Sequence, residues 1–168
     1  AWGSGPSSLI WDRQKTTDFL TGETTEDEIM DMVMPWTSRV YRELTDFVPE
    51  DGRIWLVHTR SHTYYLERDY RLDCVFEEWR FVEILGMGED TAAFEEELRI
   101  QGLTHILAFD APFLSTVEPG ERKRLRRRFG DLLARGVLVE DARWPIGQRG
   151  TDVEIPMILY RVELDSED

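Results

Sequence analysis

Apolar and polar positions alternate along this chain with two different periods. Thr25 and Glu28 stand three apart just before Ile29, Met30, Met32 and Val33, the spacing of a capping box ahead of a short helix. Pro35, which has no N–H to donate, suits the first position of a second helix that carries Trp36, Val40, Leu44 and Phe47 on one face. Pro49-Glu-Asp-Gly52 turns the chain into Ile54-Trp-Leu-Val57, a short unbroken apolar run of the kind that forms a strand buried on both faces. Leu72-Asp-Cys-Val-Phe76 is a second strand candidate, and Trp79 to Leu85 reads as a turn of helix or irregular packing. Asp90 or Thr91 then caps a helix with Ala93, Phe94 and Leu98 on its inner face, ended by Gly102, and Thr104-His-Ile-Leu-Ala-Phe109 follows as a third strand. Pro119 opens a helix with Leu125, Phe129, Leu132 and Leu133 as its apolar positions and Gly136 as its stop. Residues 136–144 and 153–164 form a closing pair of strands, and Pro156 predicts an edge position or a bulge near the start of the last one.

From Ile54 to Phe109 the succession of strand, connection, strand, helix, strand is that of an α/β sheet with parallel pairing. Right-handed crossovers place the third strand beside the first, so the expected local order is 2-1-3, and the short last connection predicts an antiparallel hairpin. The expected fold is a Rossmann-like three-layer sandwich with a mostly parallel sheet. One α/β domain spans residues 23–164, after a flexible leader and an irregular segment at 1–22 and before an acidic tail at 165–168.

Composition narrows the function. Apolar residues make up 41% of the chain, with six Trp, eight Phe and five Tyr, enough to build a core rather than a disordered tail. The net charge of −14 disfavours nucleic acid as a partner. No run approaches the ~20 apolar residues that span a bilayer, so the chain as given reads as soluble, and its start at Ala1 fits a segment cut from a longer protein. The single cysteine, Cys74, sits in an apolar stretch and reads as a small buried hydrophobe.

The densest polar chemistry follows the first strand. Ligands of open α/β sheets sit beyond the carboxyl ends of the strands, where Thr59, Arg60, Ser61, Tyr64 and Tyr65 are expected as a binding rim. Tyr64 and Tyr65 also fit as core side chains of a short helix. His58 and His62 have zinc-helix spacing, but the first ends a strand and no Glu follows it, so no metal is assigned. His105 is read as a hydrogen-bonded core residue. No glycine-rich phosphate loop and no G-x-S-x-G elbow occurs, so neither a cofactor nor a catalytic residue is assigned.

Residues 121–135 carry seven Lys or Arg against two Asp or Glu. Arg122, Lys123, Arg124, Arg126, Arg127 and Arg128 are expected on a basic face. Two readings stay open: the solvated side of an amphipathic helix, or a stripe that meets lipid phosphates, a phosphorylated carrier or an acidic surface.

Several of these segments also occur in order in one family. Trp36 to Phe47, Pro49-Glu-Asp-Gly-Arg-Ile-Trp-Leu-Val57, Tyr64-Tyr-Leu66, Asp73, Gln101-Gly-Leu-Thr-His-Ile-Leu107 and Ile158-Leu-Tyr-Arg-Val162 together resemble the C-terminal soluble region of bacterial polytopic membrane glycosyltransferases similar to the dolichyl-phosphate-mannose protein mannosyltransferases. The resemblance covers about residues 30–164, and His58-Thr59 departs from it where such sequences often carry a small residue. It implies a non-catalytic accessory domain on the periplasmic face of the inner membrane, with the membrane portion of the same polypeptide as partner and a sugar or lipid phosphate as ligand. The family's catalytic carboxylates lie between membrane helices, so none is carried to any position here. The other expectations are a free-standing Rossmann-like small-molecule-binding module and an adaptor.

Overall fold

Ile54-Trp-Leu-Val57 lies on an interior strand of the sheet, and all four residues are buried, as a run without polar interruption requires. The computed structural model of the chain describes residues 13–25, 28, 37–57, 59, 63, 66–73, 79–109, 117–147 and 154–164. Its elements run α1 (Arg13–Leu20), α2 (Thr37–Leu44), β1 (Arg53–Val57), β2 (Asp69–Leu72), α3 (Trp79–Gly86), α4 (Ala92–Ile100), β3 (His105–Phe109), α5 (Pro119–Ala134), β4 (Leu138–Gly147) and β5 (Glu154–Val162). The strands form one open five-stranded sheet in the order β2-β1-β3-β5-β4.

β1 pairs in parallel with β2, Ile54 opposite Tyr70, and with β3, Ile54 opposite His105. The local order 2-1-3 is therefore the expected one. Beyond β3 the sheet turns antiparallel, with His105 opposite Arg161 and the β4–β5 hairpin closing the far side. It is a mixed sheet, parallel at one end and antiparallel at the other, rather than a mostly parallel one. The fold class is α/β.

Strand alternation gives the sheet two apolar faces. Trp55, Val57, Ile106, Ala108, Ile158 and Tyr160 pack with Phe81, Ile84 and Leu85 of α3, Phe94 and Leu98 of α4, and Leu125, Phe129 and Leu132 of α5. Ile54, Leu56, Leu107, Met157 and Leu159 pack on the other face with Val40, Tyr41 and Leu44 of α2. The first face is built around aromatic rings. Phe81 meets Trp55 at 5.3 Å, Phe94 at 5.1 Å and Phe129 at 6.1 Å, and Phe129 meets Tyr160 edge-on at 5.2 Å.

Local chemistry sets the element ends. Gly102 and Gly136 both hold positive φ, and in each case the following N–H reaches back to the helix, Leu103 to the Leu98 carbonyl and Val137 to that of Leu132. Only an unhindered backbone makes that turn cheaply. The Asp90 carboxylate accepts from Ala92 N–H at 3.0 Å at the start of α4. The capping box is formed: Thr25 N–H donates to Glu28 at 2.8 Å and Glu28 N–H to Thr25 Oγ1 at 3.3 Å. The bond from Thr25 N–H, and a second from the Thr25 hydroxyl at 3.1 Å, hold the Glu28 carboxyl below its ordinary range. The apolar run placed after that box lies outside the described residues.

Three expectations are corrected. The irregular segment contains α1, a polar helix whose Leu20 is 78% exposed, so it carries no apolar stripe to detect. The second strand is Asp69–Leu72 rather than 72–76. Asp73 still donates its N–H to the Leu56 carbonyl of β1 at 3.2 Å, while its carboxylate accepts the Phe81 N–H at 3.0 Å, a side-chain cap on the first turn of α3. Residues 74–76 lie outside the described set. Trp79 to Leu85 is regular helix, with Phe81, Ile84 and Leu85 turned to the core.

Pro156 is on an interior strand, yet β3 reaches only as far as Met157, so no β3 partner stands opposite it. The bulge lies across the hairpin, between Glu140 and Ala142. That extra residue switches the face presented by alternate positions, from Leu138 on the α3–α5 side to Ala142 and Trp144 on the α2 side. Arg143 and Glu140 pair at 2.7 Å around it.

Candidate functional site

The rim expected after the first strand is described only in part. Thr59 is 1% exposed, and its hydroxyl has no hydrogen-bond partner. Arg60, Ser61, Tyr64 and Tyr65 lie outside the described residues. What stands beside Thr59 is a residue the pattern assigned simply to a helix, Tyr41 of α2, fully buried and likewise without a hydroxyl partner. Burial pushes the Tyr41 phenol up to about 12; the nearby Thr59 hydroxyl tempers the rise and Tyr70 adds to it. Thr59 is thus the neighbour whose hydroxyl bears on the Tyr41 phenol as a hydrogen-bond partner. Farther out, Thr63 Oγ1 and Tyr70 Oη bond at 3.0 Å and are half-buried. The group therefore grades from buried to half-buried.

Its place in the sheet is informative. β1 and β3 are adjacent parallel strands, and the chain leaves them in opposite directions, from β1 outward to β2 and from β3 through α5 to the hairpin. In open α/β sheets such a point is where a ligand crevice is expected, beyond the carboxyl ends of the two strands, because the connections diverge. Thr59 lies two residues past the end of β1, on that side.

The basic helix behaves differently from the expected basic face. Arg128 is only 7% exposed and turns inward, where it donates to the carbonyls of Leu85 at 2.8 Å, Met87 at 2.9 Å and Gly88 at 2.5 Å. It closes the end of α3 and is not on the face. Arg122 donates to the Val117 carbonyl at 2.8 Å, and Arg124 pairs with Glu121 at 3.0 Å one turn earlier. Lys123, Arg126 and Arg127 are exposed. The acidic run on α4 is also put to use: Glu97 pairs with Arg71 at 2.9 Å while Arg71 lies 5.0 Å over the Trp55 ring, and Glu95 takes both Arg135 nitrogens.

A second polar group surrounds His105, which the sequence placed as a hydrogen-bonded core residue; its neighbours Asp141 and Arg161 were not foreseen. His105 of β3 is 2% exposed, with Nδ1 bonded to Thr104 Oγ1 at 2.8 Å and Nε2 unpartnered, 3.8 Å from the Asp141 carboxylate at the bulge. Arg161 closes on Asp141 at 3.1 Å and also pairs with Glu163. Burial lowers the His105 pKa; Asp141 opposes this and Arg161 reinforces it. Neutral His105 sits in the core, whereas in the unfolded chain it takes a proton from its ordinary value of 6.5 downward. The unfolded state binds more protons there, so stability is full above pH 6.5 and falls as the pH drops below it. Urea unfolding across pH 7.5 to 5.0 should show this slope in the parent chain and a flatter one in His105→Gln; equal slopes would show that His105 titrates alike folded and unfolded.

Among the described residues, no three His, Cys, Asp or Glu side chains gather in a way that could hold a metal ion. His58 and His62 lie outside that set. No helix among the described residues is long and apolar enough to cross a membrane.

The chain matches no family model, no curated protein and no solved structure. Function is therefore argued from the divergence of the connections leaving β1 and β3.

Proposed function

We propose that the chain is a non-catalytic binding domain whose ligand enters the crevice beyond the carboxyl ends of β1 and β3. In this reading it is an extracytoplasmic accessory domain of a membrane-embedded glycosyltransferase that uses a lipid-phosphate-linked sugar, and it positions the acceptor. The observation that carries the binding role is the divergence of the connections leaving β1 and β3, which supports a Rossmann-like use of the sheet edge. The membrane enzyme comes from the resemblance carried by Pro49 to Val57 and Gly102 to His105. The adaptor reading is weaker, since the inward turn of Arg128 leaves a smaller basic face than the sequence suggested.

Melting curves of the chain with free sugars, nucleotide sugars and short-chain polyprenyl phosphates test this reading. A ligand that binds only the folded state stabilises it by about 2.7 kcal/mol at a hundredfold excess over Kd. A concentration-dependent rise with a member of these classes is expected. Flat melting temperatures across all three would remove the binding role.

A further inference from the structure

We propose that the outer ridge of α5 docks an acidic amphipathic helix of another protein, whose carboxylates pair with Lys123, Arg126 and Arg127. None of the three is among the residues assigned to the crevice, so this role holds with or without a ligand there.

Most of the described cations are already engaged. Arg39, Arg80, Arg99, Arg124 and Arg143 pair with a carboxylate three or four residues away, and Arg53, Arg71, Arg135 and Arg161 pair across the fold. Arg68, Arg122 and Arg128 donate to backbone carbonyls, and Arg42 is engaged as well. Among the described side chains, only Lys123, Arg126 and Arg127 are cations with neither a carboxylate nor a carbonyl. Acids outnumber bases by 34 to 20 in this chain, so unpaired acids are expected and unpaired bases are not.

The three also sit together. Their spacing puts Arg126 and Arg127 one turn from Lys123 on the outer side of the helix, and all are exposed. Like charges so spaced repel, and Asp131, four residues past Arg127, makes no ion pair with it. An acidic partner therefore gains twice, by forming pairs and by relieving a repulsion present in the free chain.

The shape of the ridge fits a helix. Lys123, Arg127, Gly130 and Ala134 follow one another at steps of four, three and four residues, a row along which a second helix can pack. A Cβ added at Gly130 would meet nothing within 4 Å, so the C-terminal half of the ridge is low and uncharged, with Leu133 38% exposed at its side. From Lys123 to Ala134 the axis runs about 16 Å, the length of about three helical turns. Carboxylates over the cations and an apolar residue over Gly130, beside Leu133, satisfy both halves.

A bilayer fits less well. Leu125, Phe129 and Leu132, the large apolar residues of α5 that could enter lipid, are buried in the core. A flat anionic leaflet would also face Asp131 and a chain of net charge −14, whereas a narrow helix meets the ridge alone. A second copy of the chain brings that same net charge.

The test is fluorescence anisotropy of a labelled, capped helical peptide of about 14 residues built from Glu, Leu and Ala, titrated with the chain beside its Gln-for-Glu counterpart. Three variants are compared with the parent: the triple change of Lys123, Arg126 and Arg127 to Gln, the charge-matched triple change of Arg39, Arg80 and Arg99 to Gln, and Gly130→Gln. The acidic peptide should bind and the Gln peptide should not. Affinity should fall about tenfold in the α5 triple variant and on raising salt from about 0.05 to about 0.5 M. It should fall in Gly130→Gln, which adds bulk without charge, and hold in the charge-matched variant, with melting temperatures of the α5 variants level. Equal weakening by the two triple variants would show general attraction and overturn the site. An indifferent Gly130→Gln would overturn the helical occupant. Co-sedimentation of the chain with phosphatidylcholine–phosphatidylserine vesicles through the same three cations, without peptide binding, would make the partner a lipid surface and overturn the proposal. So would a dimer in sedimentation velocity that the α5 triple variant dissolves, and so would an acidic peptide that does not bind at low salt.

Discussion

Phe81→Ala should lower the unfolding free energy by about 4 kcal/mol, near the upper end for removal of a buried ring. Phe81 is fully buried and meets three other rings, those of Trp55, Phe94 and Phe129, which come from a strand and two helices. None of the three can move into the space without leaving its own contacts, so the cavity stays open and its cost adds to the lost burial. The substitution keeps the backbone N–H that Asp73 caps, so the loss measures packing alone. Urea denaturation followed by near-ultraviolet circular dichroism would report it, since Trp55 loses its closest aromatic neighbours. A loss under about 1 kcal/mol would mean that the rings repack, and that this face is more plastic than its fixed crossings imply. Asp73→Ala is the matching control for the cap, with an expected cost of about 1 kcal/mol.

The same ring group shows what could be read from the sequence. Ile54 to Val57 and Thr104 to Phe109 announce themselves as strands because a run buried on both faces leaves no room for polar residues. Their neighbourhood follows from the crossover rule, and so does the order 2-1-3. β2 was harder. Its residues alternate Asp69, Tyr70, Arg71, Leu72, and its inward Arg71 is stabilised by the Trp55 ring and Glu97, partners that only the folded chain supplies. Local hydropathy therefore pointed instead to the apolar residues after Asp73. The antiparallel half was legible as a hairpin, but the bulge that reverses the faces of β4 was not, because Glu140-Asp-Ala142 looks like ordinary alternation until Asp141 is seen beside His105 and Arg161.

Of the candidate site, the sequence located Thr59 from its position just after a buried strand. It could not supply Tyr41, which belongs to a different element and entered the pattern only as one more residue of an amphipathic helix. Two residues 18 positions apart become neighbours because α2 lies on the face that β1 presents to it. Linear spacing holds no record of that contact. Arg128 was misplaced for a related reason: charge counts along a helix do not tell which cation has carbonyls waiting for it.

Arg128→Ala should for that reason cost about 3 kcal/mol, while Arg127→Ala and Lys123→Ala stay within about 0.5 kcal/mol of the parent. The Arg128 guanidinium is the partner of carbonyls at Leu85, Met87 and Gly88, at the end of α3 where no further helical N–H is available. Removing it strands the buried Leu85 carbonyl, takes the fork from the part-buried carbonyls of Met87 and Gly88, and leaves a void beside Leu85. A cation at a helix C-terminus also gains from the macrodipole, and little salt reaches this one to screen it. Arg128→Lys should fall between, because one ammonium on a flexible stem cannot span carbonyls that a planar fork reaches together. Chemical denaturation of the four variants at low and high salt separates the two classes of cation on α5. If Arg128→Ala unfolds no more easily than Arg127→Ala, the inward bonds contribute nothing and Arg128 returns to the basic face. If the expected gap appears, any partner of α5 has to be sought at Lys123, Arg126 and Arg127, and a loss of binding in an Arg128 variant reports the scaffold rather than the contact.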